Sequence, residues 1–228
     1  MGPDARPEAL DTYLAFGLVT ALACIVGGLW RIARSPDLPL ATAAWFAGAA
    51  TLGPLAALVV AWARVSGFAT SPSFALAAGA GALAFTLAAG AGRRMEGETL
   101  GGVRLAVGAT ASAAVAALAL GLTFALDRGM LTVALSLAAS GTAGVSHRTR
   151  IHALRWVVGA LGVLVLGRLA WDPTIVGPDL GRTPILNWLL WGYGVPALAF
   201  LGASRILGRT GRDRVVQLTE SLAIVFAA

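Results

Sequence analysis

The stretch LAVGATASAAVAALALGLTFAL, residues 105–126, decides the fold of this chain. It holds 22 uncharged residues, and as an α-helix it would be about 33 Å long, enough for a hydrocarbon core of about 30 Å. Backbone polar groups inside a bilayer must be satisfied internally, and a helix does this within one segment. Apolar and polar residues do not alternate here, which excludes a barrel strand. The stretch is therefore predicted to be a transmembrane helix.

Seven more apolar runs flank this stretch on its two sides. The eight predicted spans are 13–30, 38–62, 74–91, 105–126, 130–146, 156–171, 185–204 and 215–228. They predict an all-α fold, a polytopic transmembrane helix bundle that forms a single region over residues 1–228. The last run is only 14 residues long, so we expect a truncated span and a fragment of a longer multi-pass protein.

The composition excludes several classes of soluble protein. Hydrophobic residues make up 57% of the 228-residue chain and charged residues only 12%, and the mean hydropathy is +0.79. Soluble domains carry about 25% charged residues, so this chain lacks the charge that a water-facing surface needs. A soluble enzyme domain, a disordered segment and a nucleic-acid-binding module are excluded. The expected partners are the lipid bilayer and other membrane proteins of the cell envelope.

All 17 basic residues are Arg, and most of them lie in alternate loops between the predicted spans. Twelve follow spans one, three, five and seven, and they are Arg31, Arg34, Arg93, Arg94, Arg104, Arg148, Arg150, Arg155, Arg205, Arg209, Arg212 and Arg214. The other five are Arg6, Arg64, Arg128, Arg168 and Arg182. Because basic residues are enriched in cytoplasmic loops, the larger set is predicted to be cytoplasmic and the amino terminus outside. Exclusive use of Arg in an Ala-rich chain is typical of a GC-rich bacterial genome, which favours the bacterial cytoplasmic (inner) membrane.

Residues that could hold a metal or cofactor are few. The absence of Lys excludes a P-loop, and the single Cys24 excludes a disulfide framework or a Cys-based metal site. His147 and His152 are five residues apart, on different faces of a helix, in an Arg-rich loop. Solvated loop histidines are the favoured interpretation. No cofactor and no metal are expected.

Polar and aromatic residues are densest around the loop before span seven. Residues 168–196 read RLAWDPTIVGPDLGRTPILNWLLWGYGVP. The candidate outer-face polar patch consists of Arg168, Asp172, Asp179, Arg182, Asn187 and Tyr193. Gly192, Gly194 and Pro196 are predicted to interrupt span seven, and broken helices at membrane depth often line binding sites. The alternative is a Pro-kinked helix beneath a loop of anchoring aromatic residues.

Glu220 is the candidate intramembrane acid, inside the last predicted span. An acidic side chain at the centre of a span costs about 3 kcal/mol and commonly marks a functional site. Glu220 follows Arg214 by six residues, which is about 9 Å along a helix. At that depth an ion pair with the preceding Arg-rich loop is the interpretation that we favour.

Three segments of the second half resemble a known family. They are RIHALRWVVGALGVLVLGRLAWDP (150–173), TPILNWLLWGYGVPALAFLGASRILGR (183–209) and RVVQLTESLAIVFAA (214–228). The sequence is similar there to bacterial multi-pass membrane proteins of the family named domain of unknown function 2339. The residues that carry the resemblance are Arg168, Asp172, Pro173, Leu186, Asn187 and 192–196. The resemblance implies a longer protein with further spans and a soluble amino-terminal segment, and it implies no activity.

Three classes of function stay open at this point. A transport or permease-like component would use the interrupted span seven and Glu220. A membrane-embedded transferase acting on lipid or envelope precursors would use Arg168, Asp172, Asp179 and Arg182 to bind a charged headgroup. A non-catalytic scaffold would use small-residue helix faces, such as that of Ala77 and Gly81 in span three, as contact surfaces. We expect a non-enzymatic protein, with transport as the first hypothesis.

Overall fold

The computed structural model describes residues 7–35, 38–94, 101–126, 128–171 and 190–227. Within these residues the chain forms eight α-helices and a π-helical segment that precedes the seventh helix. The helices are α1 (Pro7–Arg34), α2 (Leu40–Ser66), α3 (Pro72–Arg94), α4 (Gly101–Ala125), α5 (Arg128–Thr149), α6 (His152–Trp171), α7 (Val195–Gly208) and α8 (Arg214–Ala227), and the π-helical segment is Leu190–Gly194. No strand occurs in the described ranges, and the predicted all-α fold class is confirmed.

Each helix contains or overlaps one apolar run of the sequence. The helices extend past several runs at their basic ends, as α1 does through Arg31 to Arg34, because long cationic side chains reach the interface while the backbone stays helical. Among the described residues, four helices are long and apolar enough to cross a membrane, namely α2, α3, α4 and α6. The count of eight spans stays a prediction.

The chain divides into two compact units, Met1–Phe124 and Ala125–Ala228. The first contains α1 to α4, and the second contains α5 to α8 with the π-helical segment.

Apolar contacts hold the first unit together. At Gly28 of α1, an added Cβ atom would lie 2.7 Å from the carbonyl oxygen of Phe46, so α1 and α2 are in direct backbone contact there. The fully buried ring of Phe124 joins α4 to two other helices. Its centroid is 4.6 Å from that of Trp62 in α2 and 6.2 Å from that of Phe74 in α3. Aromatic rings at such distances add specific edge contacts to the area they bury.

The small-residue face of α3, which the scaffold hypothesis uses as a contact surface, is open toward the other described residues. Ala77 is exposed, and a Cβ atom added at Gly81 would meet no atom within 4 Å. The buried face of α3 is formed by Phe74, Ala78 and Phe85 instead. The use of this face as a contact surface of a scaffold stays a prediction.

A short connection and one arginine determine the directions of the helices in the second unit. Only Arg150 and Ile151 separate α5 from α6, so the end of α5 lies beside the start of α6. Arg155, in the first turn of α6, bonds to Leu207 at the end of α7 and to Asp213 just before α8. Consequently α5 and α7 run in one direction and α6 and α8 in the other. The Arg-rich loops after α5 and α7 lie at the same end of this unit.

Span seven is helical through the residues expected to interrupt it. The π-helical segment continues directly into α7, and Gly194 has φ −65° and ψ −43°, which are right-handed helical values. Pro196 lies in the first turn of α7, where its missing N–H costs little. The expectation of a break is wrong within residues 190–208. The irregularity is a local change in hydrogen-bond spacing.

Candidate functional site

The predicted outer-face patch is described at two of its six residues. Arg168 lies in the last turn of α6 and is half-buried. Tyr193 lies in the π-helical segment, with its ring centroid 6.3 Å from that of Phe226 in α8. Since α6 ends and α7 begins away from Arg155, both residues lie at the opposite end of the unit from Arg155. The other four, Asp172, Asp179, Arg182 and Asn187, lie outside the described residues.

Glu220 faces the Arg-rich loop that precedes its helix. Its Oε1 lies 3.7 Å from a guanidinium nitrogen of Arg212, and the two side chains are 43% and 81% exposed. This is the arrangement expected for an acid about 9 Å from the end of a span. The acid that was to mark a transport path therefore takes part in a surface ion pair.

The two histidines flank the connection between α5 and α6, and both are exposed. His147 lies in the last turn of α5, and His152 is the first residue of α6. The described residues contain no group of three or more His, Cys, Asp and Glu side chains that could hold a metal ion.

Arg155 forms the densest polar site in the described part of the chain, although the sequence placed it among the loop arginines. The residue is only 8% exposed. Its Nε and Nη2 donate to the Oδ2 atom of Asp213 at 2.9 and 2.7 Å. Nη2 also donates to the carbonyl of Gly211 at 3.1 Å, and Nη1 donates to the carbonyl of Leu207 at 3.2 Å and to the Thr210 hydroxyl. A guanidinium group has five N–H donors, and all five are used.

Asp213 accepts the hydrogen bonds of Arg155 and is also the N-cap residue of α8. Its Oδ1 accepts the backbone N–H of Val216 at 3.0 Å, the bond that an N-cap residue makes. Burial raises the pKa of the Asp213 carboxyl, but the Val216 N–H and the hydrogen bonds and charge of Arg155 outweigh it, so the pKa lies below its ordinary value of 3.8. The carboxylate stays ionised and paired. We call Arg155, Leu207, Thr210, Gly211 and Asp213 the Arg155 cap.

A row of hydroxyl groups lies on the face of α5 that includes Thr132, Ser136 and Ser140, at four-residue spacing. Ser140 donates a hydrogen bond to the carbonyl of Ala199 in α7, so this face points toward α7. Ser136 is buried and donates to the carbonyl of Val133 at 2.8 Å. We call these three residues the hydroxyl face.

Thr132 lies at the end of this row, and its hydroxyl is the least satisfied group on it. The residue is 1% exposed, and its Oγ1 has no hydrogen-bond partner among the described residues. Because α5 and α7 run in the same direction, Thr132 lies two turns before Ser140 toward the π-helical segment, which contacts α5. The helix that carries this unpartnered hydroxyl therefore also contacts an irregular stretch of helix.

Comparison with known proteins assigns the chain to a family. The family described as "Predicted membrane protein (DUF2339)" matches residues 8–228. The chain belongs to this family. No curated protein and no solved structure matches it. The match reaches well beyond residues 150–228, where the sequence resemblance was strongest, and it includes the helices of both compact units.

For this member of the family, two sequence signals could have revealed the Arg155 cap. Arg155 lies on the same face of α6 as Gly159 and Gly162, and both of these glycines contact α8. An arginine on the face of a helix that packs against another helix is buried, and a buried charge is costly unless it has a hydrogen-bonding partner. Asp213 directly precedes Arg214, the first residue of α8, and stands two residues before the apolar run that begins at Val215, which is an N-cap signal.

Proposed function

We propose that this membrane protein is a permease-like transport component of the bacterial cytoplasmic membrane, with its amino terminus outside. The observation that carries the proposal is the hydroxyl face of α5, which ends at Thr132, whose buried hydroxyl has no partner among the described residues. The helix that carries this face contacts the π-helical segment.

A buried hydroxyl without a partner costs about 1–3 kcal/mol, unless water or a solute supplies its hydrogen bond. Polar residues within a bundle and helices with irregular hydrogen bonding are both common where a membrane protein lines a path. Hydroxyl groups carry no charge, and the described acid Glu220 is paired with Arg212. The proposed substrate is therefore a small uncharged polar solute, whose hydroxyl or amide groups would bond with Thr132 and its neighbours.

A scaffold is the second candidate, and the ion pair of Glu220 favours it. An acid directed to a surface arginine contributes nothing to an internal path, and the Arg155 cap has the fully bonded character of a structural element. The transferase hypothesis depends on Asp172 and Asp179, which lie outside the described residues.

Accessibility of introduced thiols separates transport from scaffolding. In a Cys24→Ala background, the variants Thr132→Cys and Ser136→Cys would be reconstituted in vesicles and treated with a charged, membrane-impermeant methanethiosulfonate reagent. The matched control is Leu137→Cys, because Leu137 lies on the same helix and is 53% exposed on an apolar face. Thiolates form in water and not in lipid, so a path predicts modification at position 132 at least about tenfold faster than at 137.

The second measurement is protection by small polar solutes. Glycerol or urea should slow modification of the Thr132→Cys variant if the hydroxyl face takes such solutes. Modification of both test positions no faster than at position 137 would overturn the transport proposal and leave the scaffold.

A further inference from the structure

One end of the second unit carries a concentration of exposed arginines. They lie at the ends of α5 and α7 and at the start of α8, and they are Arg148, Arg150, Arg205, Arg209, Arg212 and Arg214. The Arg155 cap brings these segments to one end, because it bonds the start of α6 to the residues between α7 and α8. We call these six residues the basic end.

Most of this positive charge is not neutralised by the described residues of the chain. Asp213 is bonded to Arg155, and Glu220 is 3.7 Å from Arg212. The other five arginines of the basic end make no ion pair with any described residue. Five guanidinium groups are thus available to an external anion.

Two of these arginines occupy positions that are unfavourable for the folded chain alone. Arg150 has φ +56°, a left-handed conformation that costs a non-glycine residue about 1 kcal/mol and that Gly or Asn adopts more readily. Arg214 is the first residue of α8, where the positive end of the helix dipole repels a cation.

The level of the membrane surface is marked by a tryptophan next to the basic end. Trp156 follows Arg155 in the first turns of α6 and is 67% exposed. Exposed Trp side chains at helix ends prefer the headgroup region of a bilayer. This preference predicts that the basic end lies at the depth of lipid phosphates.

We propose that the basic end binds the phosphate groups of anionic phospholipids in the adjoining leaflet. Guanidinium groups match phosphate oxygens with paired N–H donors, and clusters of four to eight basic residues next to a span are typical of anionic-lipid contact. This inference is independent of the transport proposal, because it uses the opposite end of the unit from Thr132.

For the test, the chain is purified from vesicles that contain phosphatidylglycerol and phosphatidylcholine in equal amounts. Native mass spectrometry then measures how much of each lipid stays bound to the chain. The test variant is the triple substitution Arg150→Gln, Arg209→Gln and Arg214→Gln. The wild-type chain should retain phosphatidylglycerol in preference to phosphatidylcholine. In the triple variant this preference should be at least about fivefold lower, because each basic residue near the surface contributes to the attraction of anionic lipid, at about fivefold per residue.

Two control variants locate the effect. Replacing the same three arginines with Lys keeps the charge and should keep most of the preference. The second control replaces Arg93, Arg94 and Arg104 with Gln, which removes the same amount of positive charge from exposed positions of the first unit. Its preference for phosphatidylglycerol should stay within about twofold of the wild-type value. An equal loss in this control would show a general charge effect and overturn the assignment to the basic end.

Two measurements on the wild-type chain keep the proposal testable even if the triple Gln variant does not fold. At about 1 M salt the screening length falls to about 3 Å, and the preference for phosphatidylglycerol should disappear. Excess inorganic phosphate should not abolish the preference for phosphatidylglycerol, because the rest of the lipid molecule holds its headgroup at the site. Persistence at high salt, or full displacement by inorganic phosphate, would overturn the proposed lipid site.

Discussion

The two compact units of this chain are held together in different ways. In Met1–Phe124, the packing between helices is apolar, as at the close approach of Gly28 and at the rings around Phe124. Two hydrogen bonds of 2.8 Å tie the connection between α2 and α3 to helices, from Trp62 Nε1 to the Ala69 carbonyl and from the Ser71 N–H to the Phe124 carbonyl. Its buried hydroxyls bond within their own helices, as Thr110 does to the Ala106 carbonyl at 2.8 Å. In Ala125–Ala228, hydrogen bonds also join one helix to another, through the Arg155 cap and through Ser140.

This difference bears on how helices associate in lipid. Lipid tails are as apolar as Leu side chains, so apolar helices gain stability from close packing and little from the hydrophobic effect. Polar groups at a helix contact add bonds that lipid does not replace. We therefore expect the first unit to be most sensitive to changes of shape and the second to changes of charge and hydrogen bonding.

Removing the guanidinium of Arg155 should have the largest effect. The Arg155→Ala variant leaves the carbonyls of Leu207 and Gly211 and the carboxylate of Asp213 without their donors, and we expect a loss of about 3 kcal/mol in the free energy of unfolding. Unfolding in a denaturing-detergent titration, followed by circular dichroism, measures it.

The control is Arg148→Ala, since Arg148 is exposed and makes no ion pair with any described residue. That change should cost less than about 0.5 kcal/mol. Equal stability of the two variants would show that the Arg155 cap does not stabilise the second unit, and the contrast between the two units would then not hold.

A methyl group at Gly28 should have the next largest effect, this time in the first unit. An added Cβ atom would lie 2.7 Å from the Phe46 oxygen and 2.9 Å from the Ala50 Cβ, so α1 and α2 must separate. We expect Gly28→Ala to cost about 2 kcal/mol. Its neighbour Gly27 is the matched control, because an added Cβ atom there meets nothing within 4 Å. Detergent titrations in which Gly28→Ala is as stable as Gly27→Ala would contradict the close contact.

The smallest expected effect is the pH dependence that Asp213 brings to the second unit. Since its pKa is lowered in the folded chain, its contribution is fully present above the ordinary value of 3.8 and is lost as the pH falls through the lower folded value. The carboxylate is 44% exposed, so solvent screens the pair and the effect should be under about 1 kcal/mol.

Melting temperatures between about pH 6 and about pH 3 test this prediction. The wild-type chain should lose more stability on acidification than Asp213→Asn, which cannot titrate at this position. Parallel pH profiles for the two proteins would show that the ion pair does not contribute.

The sequence predicted much of the fold because membrane helices depend on local composition. Residues 105–126 appear as α4, and each of the other apolar runs lies in or overlaps a helix. Lipid requires every backbone bond to be made within a segment, so a long apolar run leaves the chain little choice. The arginine pattern predicts that the loops after spans five and seven lie on the same side of the membrane. In the structure, these two loops lie at the same end of the second unit.

The contacts between helices were much harder to predict. The face of Ala77 and Gly81 has the right spacing but no neighbour, whereas Gly28 stands against Phe46. Arg155 looked like a loop residue because its partner Asp213 is 58 residues away. No local pattern records a pairing over that distance.

The sequence by itself determined that this is an all-α membrane protein, where its helices lie and where its charges are concentrated. Only the tertiary structure decided which arginine is buried and bonded, which arginines of the basic end form no ion pair with a described residue, and that Ser140 of the hydroxyl face bonds to α7. The reason is physical: helix formation in lipid follows from neighbouring residues, whereas the role of a polar side chain depends on the groups that another helix brings to it.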